Sequence, residues 1–126
     1  MKETVHTDAA PAAVGAYSQA TTNGELVFTA GQIALTPDGD LLDDASIAEQ
    51  TEQALDNLVA VLDEAGAAPE DVLKTTVFLA DIDDFDEMNE TYAGYFEESP
   101  PARSAVEVGA LPKGAEVEIE AVAVVE

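Results

Sequence analysis

The strongest constraint on the fold is a strict alternation of polarity along residues 115–124. One parity of this run is apolar and consists of Ala115, Val117, Ile119, Ala121 and Ala123. The other parity begins with three glutamates and ends with Val122 and Val124. A period of two residues is typical of a β-strand, because successive side chains point to opposite faces of a sheet. Since apolar residues occur on both parities, we expect both faces of this strand to be covered.

The rest of the chain alternates between strand and helix patterns. Asn23-Gly24 between two β-like runs predicts a hairpin, and Gly31 interrupts a strand that is predicted to resume over residues 32–35. Further strands are predicted at residues 2–6, 72–79 and 103–108. A capping box of Ser46 and Glu49 starts a helix that runs to about residue 65, and a second helix is predicted from residue 84 through residue 96.

This order predicts an α+β fold, a mixed β-sheet with two helices on one face in the order β-β-β-α-β-α-β-β. The length of 126 residues suits one domain over residues 1–126. The aromatic stripe of the second helix, from Phe85 to Phe96, is interpreted as core. Because two helices cover only one face of a sheet, we expect the other face to pack on further subunits in a small closed ring.

The charge balance excludes several classes of partner. The chain carries 27 acidic residues against four Lys and Arg, a formal net charge of −23. Phosphate binding needs basic patches, so nucleic acid and anionic membrane surfaces are not expected as partners. The acids are scattered rather than clustered, which indicates a surface adapted to high salt and favours the cytoplasm of a halophile. The chain has no Cys, which excludes thiol catalysis and Cys-ligated metal, and no signal peptide is predicted.

Arg103 is the only arginine of this acidic chain. Its planar fork of donors suits a planar anion, either a carboxylate of the protein or one of a ligand. A hairpin centred near Leu111-Pro112 would bring Arg103 opposite or diagonal to Glu120. Such a pair has two readings that the residues leave open, a cross-strand surface ion pair and a functional pair.

Eight stretches of the chain match one family pattern in order and spacing: residues 15–20, 30–33, 50–58, 71–79, 89–92, 101–108, 111–113 and 117–121. In these stretches, which span nearly its whole length, the chain resembles the RidA (YjgF-type) family of reactive-intermediate deaminases. The resemblance implies a chorismate-mutase-like α+β fold, a homotrimer with active clefts between subunits, and no metal or organic cofactor. It further implies hydrolysis of enamines and imines, such as 2-aminoacrylate and related 2-imino acids, to 2-keto acids and ammonia.

The resemblance also assigns residues to the cleft. The carboxylate-binding arginine falls on Arg103, the water-orienting glutamate on Glu120, and the ring from the neighbouring subunit on Tyr17. Gly31 and Asn89 match further cleft positions, and Ala105 stands where the family often has a cysteine. Three of these residues also have a purely structural interpretation. Tyr17 could be a buried ring whose hydroxyl bonds to backbone, Gly31 a β-bulge, and Asn89 a residue that holds a loop in place. Glu118, which shares the parity of Glu120, is interpreted as a solvated or interface acid.

Two classes of function therefore remain. The first is an imine deaminase in which Arg103 binds the substrate carboxylate and Glu120 activates water. The second is a trimeric module that binds small carboxylates, as a regulator or a holdase, without turnover. Retention of both residues favours the enzyme, since a carboxylate binder needs only the arginine. A ribonuclease, a function attached to similar proteins, is disfavoured by the scarcity of cations.

Overall fold

The computed structural model describes all 126 residues and confirms the predicted α+β class. Six strands form one sheet in the order β1-β2-β3-β6-β4-β5, with two helices against one face. In chain order the elements are β1 (Glu3–Val5), β2 (Ala20–Thr22), β3 (Leu26–Thr29), α1 (Ile47–Ala65), β4 (Val72–Leu79), α2 (Phe85–Ala93), β5 (Ala102–Glu107) and β6 (Val117–Val124). Neither helix is both long and apolar enough to cross a membrane.

Helix α1 forms as its sequence predicts. The Ser46 hydroxyl accepts a hydrogen bond from the Glu49 amide at 3.1 Å, which completes the capping box. Gly66 ends the helix with φ of 91°, a left-handed conformation that glycine adopts at little cost. The buried face carries Leu55, Leu58 and Leu62, each worth about 1.5–3 kcal/mol when removed from water. This face packs on the apolar parity of β6 and forms the core.

The predicted hairpin between β5 and β6 is wrong, because β4 lies between these two strands. Strand β5 pairs in parallel with β4, through α2 as the crossover, and β6 pairs antiparallel with the other edge of β4. The residues between β5 and β6 therefore cross the end of β4 instead of making a tight turn. Within this connection Lys113 and Gly114 have φ of 58° and 76°, and the chain turns at these two residues.

Two element boundaries also differ from the sequence prediction. Residues 32–35 form only isolated bridges, Gln32 with Ile119 and Leu35 with Leu41, rather than a continued strand. Helix α2 ends at Ala93, so the last two aromatic residues of the stripe lie beyond it. Tertiary contacts hold them there: Tyr95 donates to Asp56 of α1 at 2.7 Å, and Phe96 packs on Tyr92 with 4.8 Å between ring centroids.

The helix-free face of the sheet carries an apolar surface that this chain leaves uncovered. Phe28 and Val122 are cross-strand partners on this face, as are Phe78 and Glu118. Val106 continues the row on the edge strand β5, and Phe28 and Val106 are 50% and 43% exposed. The sequence expectation that β6 has apolar residues on both faces is confirmed. What covers the second face is a proposal that we take up below.

The surface charge is almost entirely uncompensated. The only contact between a basic side chain and a carboxylate is the hydrogen bond of the His6 ring with Asp8 at 3.0 Å, and the formal net charge, with His counted as neutral, is −23. Raising the salt concentration from about 0.1 M to about 1 M shortens the screening length from about 10 Å to about 3 Å. We therefore expect the melting temperature to rise steadily with KCl over this range, because self-repulsion in the compact state weakens. Calorimetry checks this, and a melting temperature independent of KCl would contradict the proposed adaptation to salt.

Candidate active site

Arg103 lies on β5 with its side chain on the helix face of the sheet. Its backbone neighbour on β4 is Thr75, and its Nη1 donates to the Asn89 Oδ1 of α2 at 2.6 Å. The guanidinium carbon lies 4.8 Å from the ring centroid of Tyr92 and 5.2 Å from that of Phe85. One amide oxygen and two aromatic rings, all neutral, thus hold the only arginine of the chain.

No carboxylate lies within ion-pair distance of Arg103, although the chain has 27 acidic residues. The interpretation of Arg103 as half of a surface ion pair is therefore wrong. The side chain borders a cleft of about 820 Å³, which we call the arginine cleft and which is also lined by Asn89, Tyr92, Phe96 and Pro101. A guanidinium has five donors, so those not used by Asn89 are available to a planar anion in this cleft.

Glu120 lies on the opposite face of the sheet from Arg103. It pairs with Thr76 of β4, whereas Arg103 pairs with Thr75, and adjacent residues of a strand point to opposite faces. The sequence prediction that these two side chains approach each other across a hairpin is therefore wrong within one chain. Glu120 borders neither the arginine cleft nor the cleft described next.

A second cleft, of about 500 Å³, contains two of the residues predicted for the site. Tyr17 and Gly31 line it together with Gln32, Ile33 and Glu118, and we call it the glycine cleft. A Cβ placed on Gly31 would overlap the carboxyl group of Glu118. Gly31 is thus needed for a close approach rather than for a bulge alone, and any larger residue would displace the Glu118 side chain.

Glu118 is the acid of this cleft and is half-buried, so it is not a fully solvated acid, and the alternative reading of it as an interface acid stays a prediction. Burial raises the pKa of Glu118, and the negative charge of Glu120 raises it further. A carboxyl group with a raised pKa exchanges protons more readily near neutral pH than an exposed one. The sequence carries only an indirect signal for this contact, because a glycine inside a strand pattern is often found where another group approaches the backbone closely, and the signal does not identify that group as Glu118.

Comparison with known proteins identifies the family of this chain. The family model described as Endoribonuclease L-PSP matches residues 7–125. The chain is 47% identical over 124 residues to the 2-iminobutanoate/2-iminopropanoate deaminase of Rattus norvegicus, covering 98% of this chain and 90% of the relative. The chain belongs to the RidA (YjgF-type) family. The resemblance inferred from the sequence is thereby confirmed.

Two further relatives extend the RidA comparison. A RutC family protein of Pyrococcus horikoshii is 50% identical over 123 residues, with 98% of each chain covered. The crystal structure of E. coli TdcF with bound serine superposes with a TM-score of 0.93 at 38% identity, covering 98% of this chain and 99% of that one. The fold of this RidA chain therefore matches an experimental structure over nearly its whole length.

Of the remaining predicted residues, Asn89 lines the arginine cleft and Tyr17 lines the glycine cleft of the RidA chain, whereas Ala105 lines neither. Asn89 contacts Arg103 directly, and Ala105 lies two residues further along β5 on the same face, partly buried. Tyr17 lies in the glycine cleft with its side chain 55% exposed, and its hydroxyl accepts from the Val14 amide at 3.4 Å. The reading of Tyr17 as a buried ring is therefore wrong. Each chain presents the arginine cleft and, separately, the glycine cleft.

Proposed function

We propose that this RidA protein is a hydrolytic deaminase of reactive enamines and imines, 2-aminoacrylate and related 2-imino acids, giving 2-keto acids and ammonia. One observation carries the proposal: the only guanidinium of an acidic chain borders a cleft and has no protein carboxylate as partner. Two comparisons support it. The rat relative is named for the deamination of 2-iminobutanoate and 2-iminopropanoate, and TdcF holds serine, a small molecule that also carries a carboxylate.

The chemistry follows from these groups. Arg103 grips the planar carboxylate of the imino acid through two parallel hydrogen bonds and so fixes the position of the neighbouring imine carbon. A protein carboxylate takes a proton from a water molecule as the water oxygen bonds to that carbon. The electron pair of the C=N bond moves to the protonated imine nitrogen, which gives a carbinolamine. The carboxyl group then returns the proton to that nitrogen, and the C–N bond breaks to release ammonia while the hydroxyl oxygen forms the C=O bond of the keto acid and its proton passes to the carboxylate.

Two glutamates are candidates for this proton transfer. The resemblance assigns the role to Glu120, which borders neither cleft. The geometry favours Glu118, because it lines the glycine cleft beside Gly31 and has a raised pKa. In this proposal Glu120 acts on Glu118 through its negative charge, and Glu118 contacts the water.

We call the arginine cleft with Arg103 the arginine half-site and the glycine cleft with Glu118 the glycine half-site. To act on one small substrate, the two half-sites have to come from different copies of the chain. Arg103 faces the helices, whereas Glu118 points to the helix-free face of the same sheet. The apolar surface around Phe28 and Val106 provides the contact area for a second copy. We propose a homotrimer in which each active cleft combines the arginine half-site of one subunit with the glycine half-site of the next. The acidic composition supports a halophile's cytoplasm as the compartment.

The proposal is tested by generating an imino acid in situ with an amino-acid oxidase and following keto-acid and ammonia release. We expect the protein to accelerate hydrolysis at high salt, and an Arg103→Ala variant that keeps its oligomeric state to lose the acceleration. No acceleration by the folded wild-type oligomer would contradict the deaminase. If that oligomer still bound a 2-keto acid at Arg103, the binding module without turnover would be the better account.

A further inference from the structure

The guanidinium of Arg103 is supported on several sides by groups without charge. Arginine has a long side chain with many rotamers, and this freedom has to be lost before a two-point grip can form. Here Asn89 accepts one Nη1 hydrogen, and the rings of Tyr92 and Phe85 lie under the cation at 4.8 and 5.2 Å. The side chain is therefore ordered before any ligand arrives.

Tyr92 is itself fixed from two directions. Its hydroxyl is hydrogen bonded to the Thr75 Oγ1 at 2.6 Å, and Thr75 is the cross-strand partner of Arg103. Its ring packs against Phe96 with 4.8 Å between centroids, and the residue is only 4% exposed. Thr75 of β4 thus lies beside Arg103 in the sheet and also holds the Tyr92 ring that contacts the guanidinium.

Neutrality of this support matters for ligand binding. A carboxylate at position 85 or 92 would order Arg103 equally well, but it would neutralise the charge that attracts the substrate. Burial raises the pKa of Tyr92, against the lowering effects of Thr75 and Arg103, so the phenol stays protonated at neutral pH. The ring can then act only through its face, by a cation–π interaction.

We infer that Tyr92, held by its packing on Phe96 and secondarily by Thr75, and assisted by Phe85, is a positioning residue that holds the Arg103 guanidinium for two-point capture of the substrate carboxylate. This inference rests on the proposed function, since it assigns Arg103 the role of carboxylate binder. Binding of a carboxylate by arginine does not by itself require an aromatic ring at position 92, whereas this inference does. The prediction is that ligand affinity depends on the ring and only weakly on its hydroxyl.

The test measures the dissociation constant of 2-oxobutanoate by calorimetry, and KM for imine hydrolysis, in matched variants. Tyr92→Leu removes the ring and should raise both constants about tenfold, the order expected for a partly desolvated cation–π contact. Tyr92→Phe keeps the ring and should stay within about threefold of wild type. Phe85→Leu removes the second, less buried ring and should raise both constants by a smaller factor. This variant keeps the inference testable if the Tyr92→Leu protein does not fold.

Tyr95→Leu is the control, because Tyr95 ties down the same segment through Asp56 but makes no contact with Arg103. It should lower the melting temperature and leave the dissociation constant unchanged, which separates a structural loss from a loss of positioning. Unchanged affinity in folded Tyr92→Leu and Phe85→Leu would overturn the inference. A wild-type protein that neither binds 2-oxobutanoate nor hydrolyses the imine would overturn the proposed function itself.

Discussion

Replacing Arg103 by lysine is expected to lower kcat/KM for imine hydrolysis by about 100-fold or more, with the fold and the oligomer intact. Lysine keeps the charge but is a point donor, so it cannot make two parallel hydrogen bonds to a carboxylate. A hydrogen bond to a charged group contributes about 1.5–3 kcal/mol, which corresponds to roughly 10- to 150-fold, and misplacement of the imine carbon adds to this loss. Steady-state kinetics on the in situ generated imine measures the change.

The control for this variant is its own structure in solution. Because Arg103 makes no ion pair in the protein, its replacement leaves no buried carboxylate without a partner, and a large drop in stability is not expected. Size-exclusion chromatography and calorimetry should show the wild-type oligomer and a similar melting temperature. Near-normal kcat/KM in Arg103→Lys would remove the proposed grip on the substrate.

Exchanging one carboxyl group for an amide distinguishes the two candidate acids. Glu118→Gln should lower kcat by about 10²- to 10⁴-fold, the range supplied by general acid–base catalysis. It should leave 2-oxobutanoate binding within about twofold, because Arg103 supplies that affinity. Glu120→Gln should change kcat less than about fivefold at neutral pH, since it acts only through the charge that it places near Glu118.

The pH dependence of kcat is a second way to distinguish Glu118 from Glu120 as the acid. Glu118 has to be ionised to accept a proton from water, so kcat should fall as pH drops through its raised pKa. The negative charge of Glu120 contributes to that raised pKa, so Glu120→Gln should lower the pKa of Glu118 and move the acidic limb to lower pH. A large loss of kcat in Glu120→Gln, with Glu118→Gln nearly normal, would restore the assignment made from the resemblance.

Local patterns predicted the parts of the fold that local physics decides. The capping box at Ser46, the helix end at about residue 65 and the Asn23-Gly24 hairpin each depend on neighbours within a few residues, and all three are confirmed. The alternation along β6 likewise predicted which parity is buried. These features need no knowledge of how distant strands pair.

Local sequence patterns do not determine the order of the strands in the sheet. A connection that closes a hairpin and one that crosses the end of a third strand can carry the same turn residues, and both leave β5 and β6 antiparallel. Only the pairing of β4 with both strands decides the matter, and this pairing depends on long-range packing. The predicted hairpin would place Arg103 and Glu120 on the same face of the sheet, and it therefore gives no reason to consider Glu118 as the acid.

The contacts around Arg103 were missed for a related reason. The stripe from Phe85 to Phe96 was read correctly as apolar and mostly buried, because helical spacing predicts burial. Spacing does not show that a cation from another element lies over two of these rings. Asn89, on the same helix, was identified only through the resemblance, and the structure shows its contact with Arg103.

The central claim is that one active cleft uses Arg103 from one subunit and Glu118 from another. It is tested most directly by co-expressing Arg103→Ala and Glu118→Gln chains with different tags, purifying assemblies that carry both tags, and measuring imine hydrolysis. Each variant alone should be inactive. In a cyclic trimer of mixed composition one cleft in three combines both intact residues, so the doubly tagged assemblies should recover roughly a third of wild-type activity. Doubly tagged assemblies with no more activity than either variant alone would contradict a cleft shared between subunits.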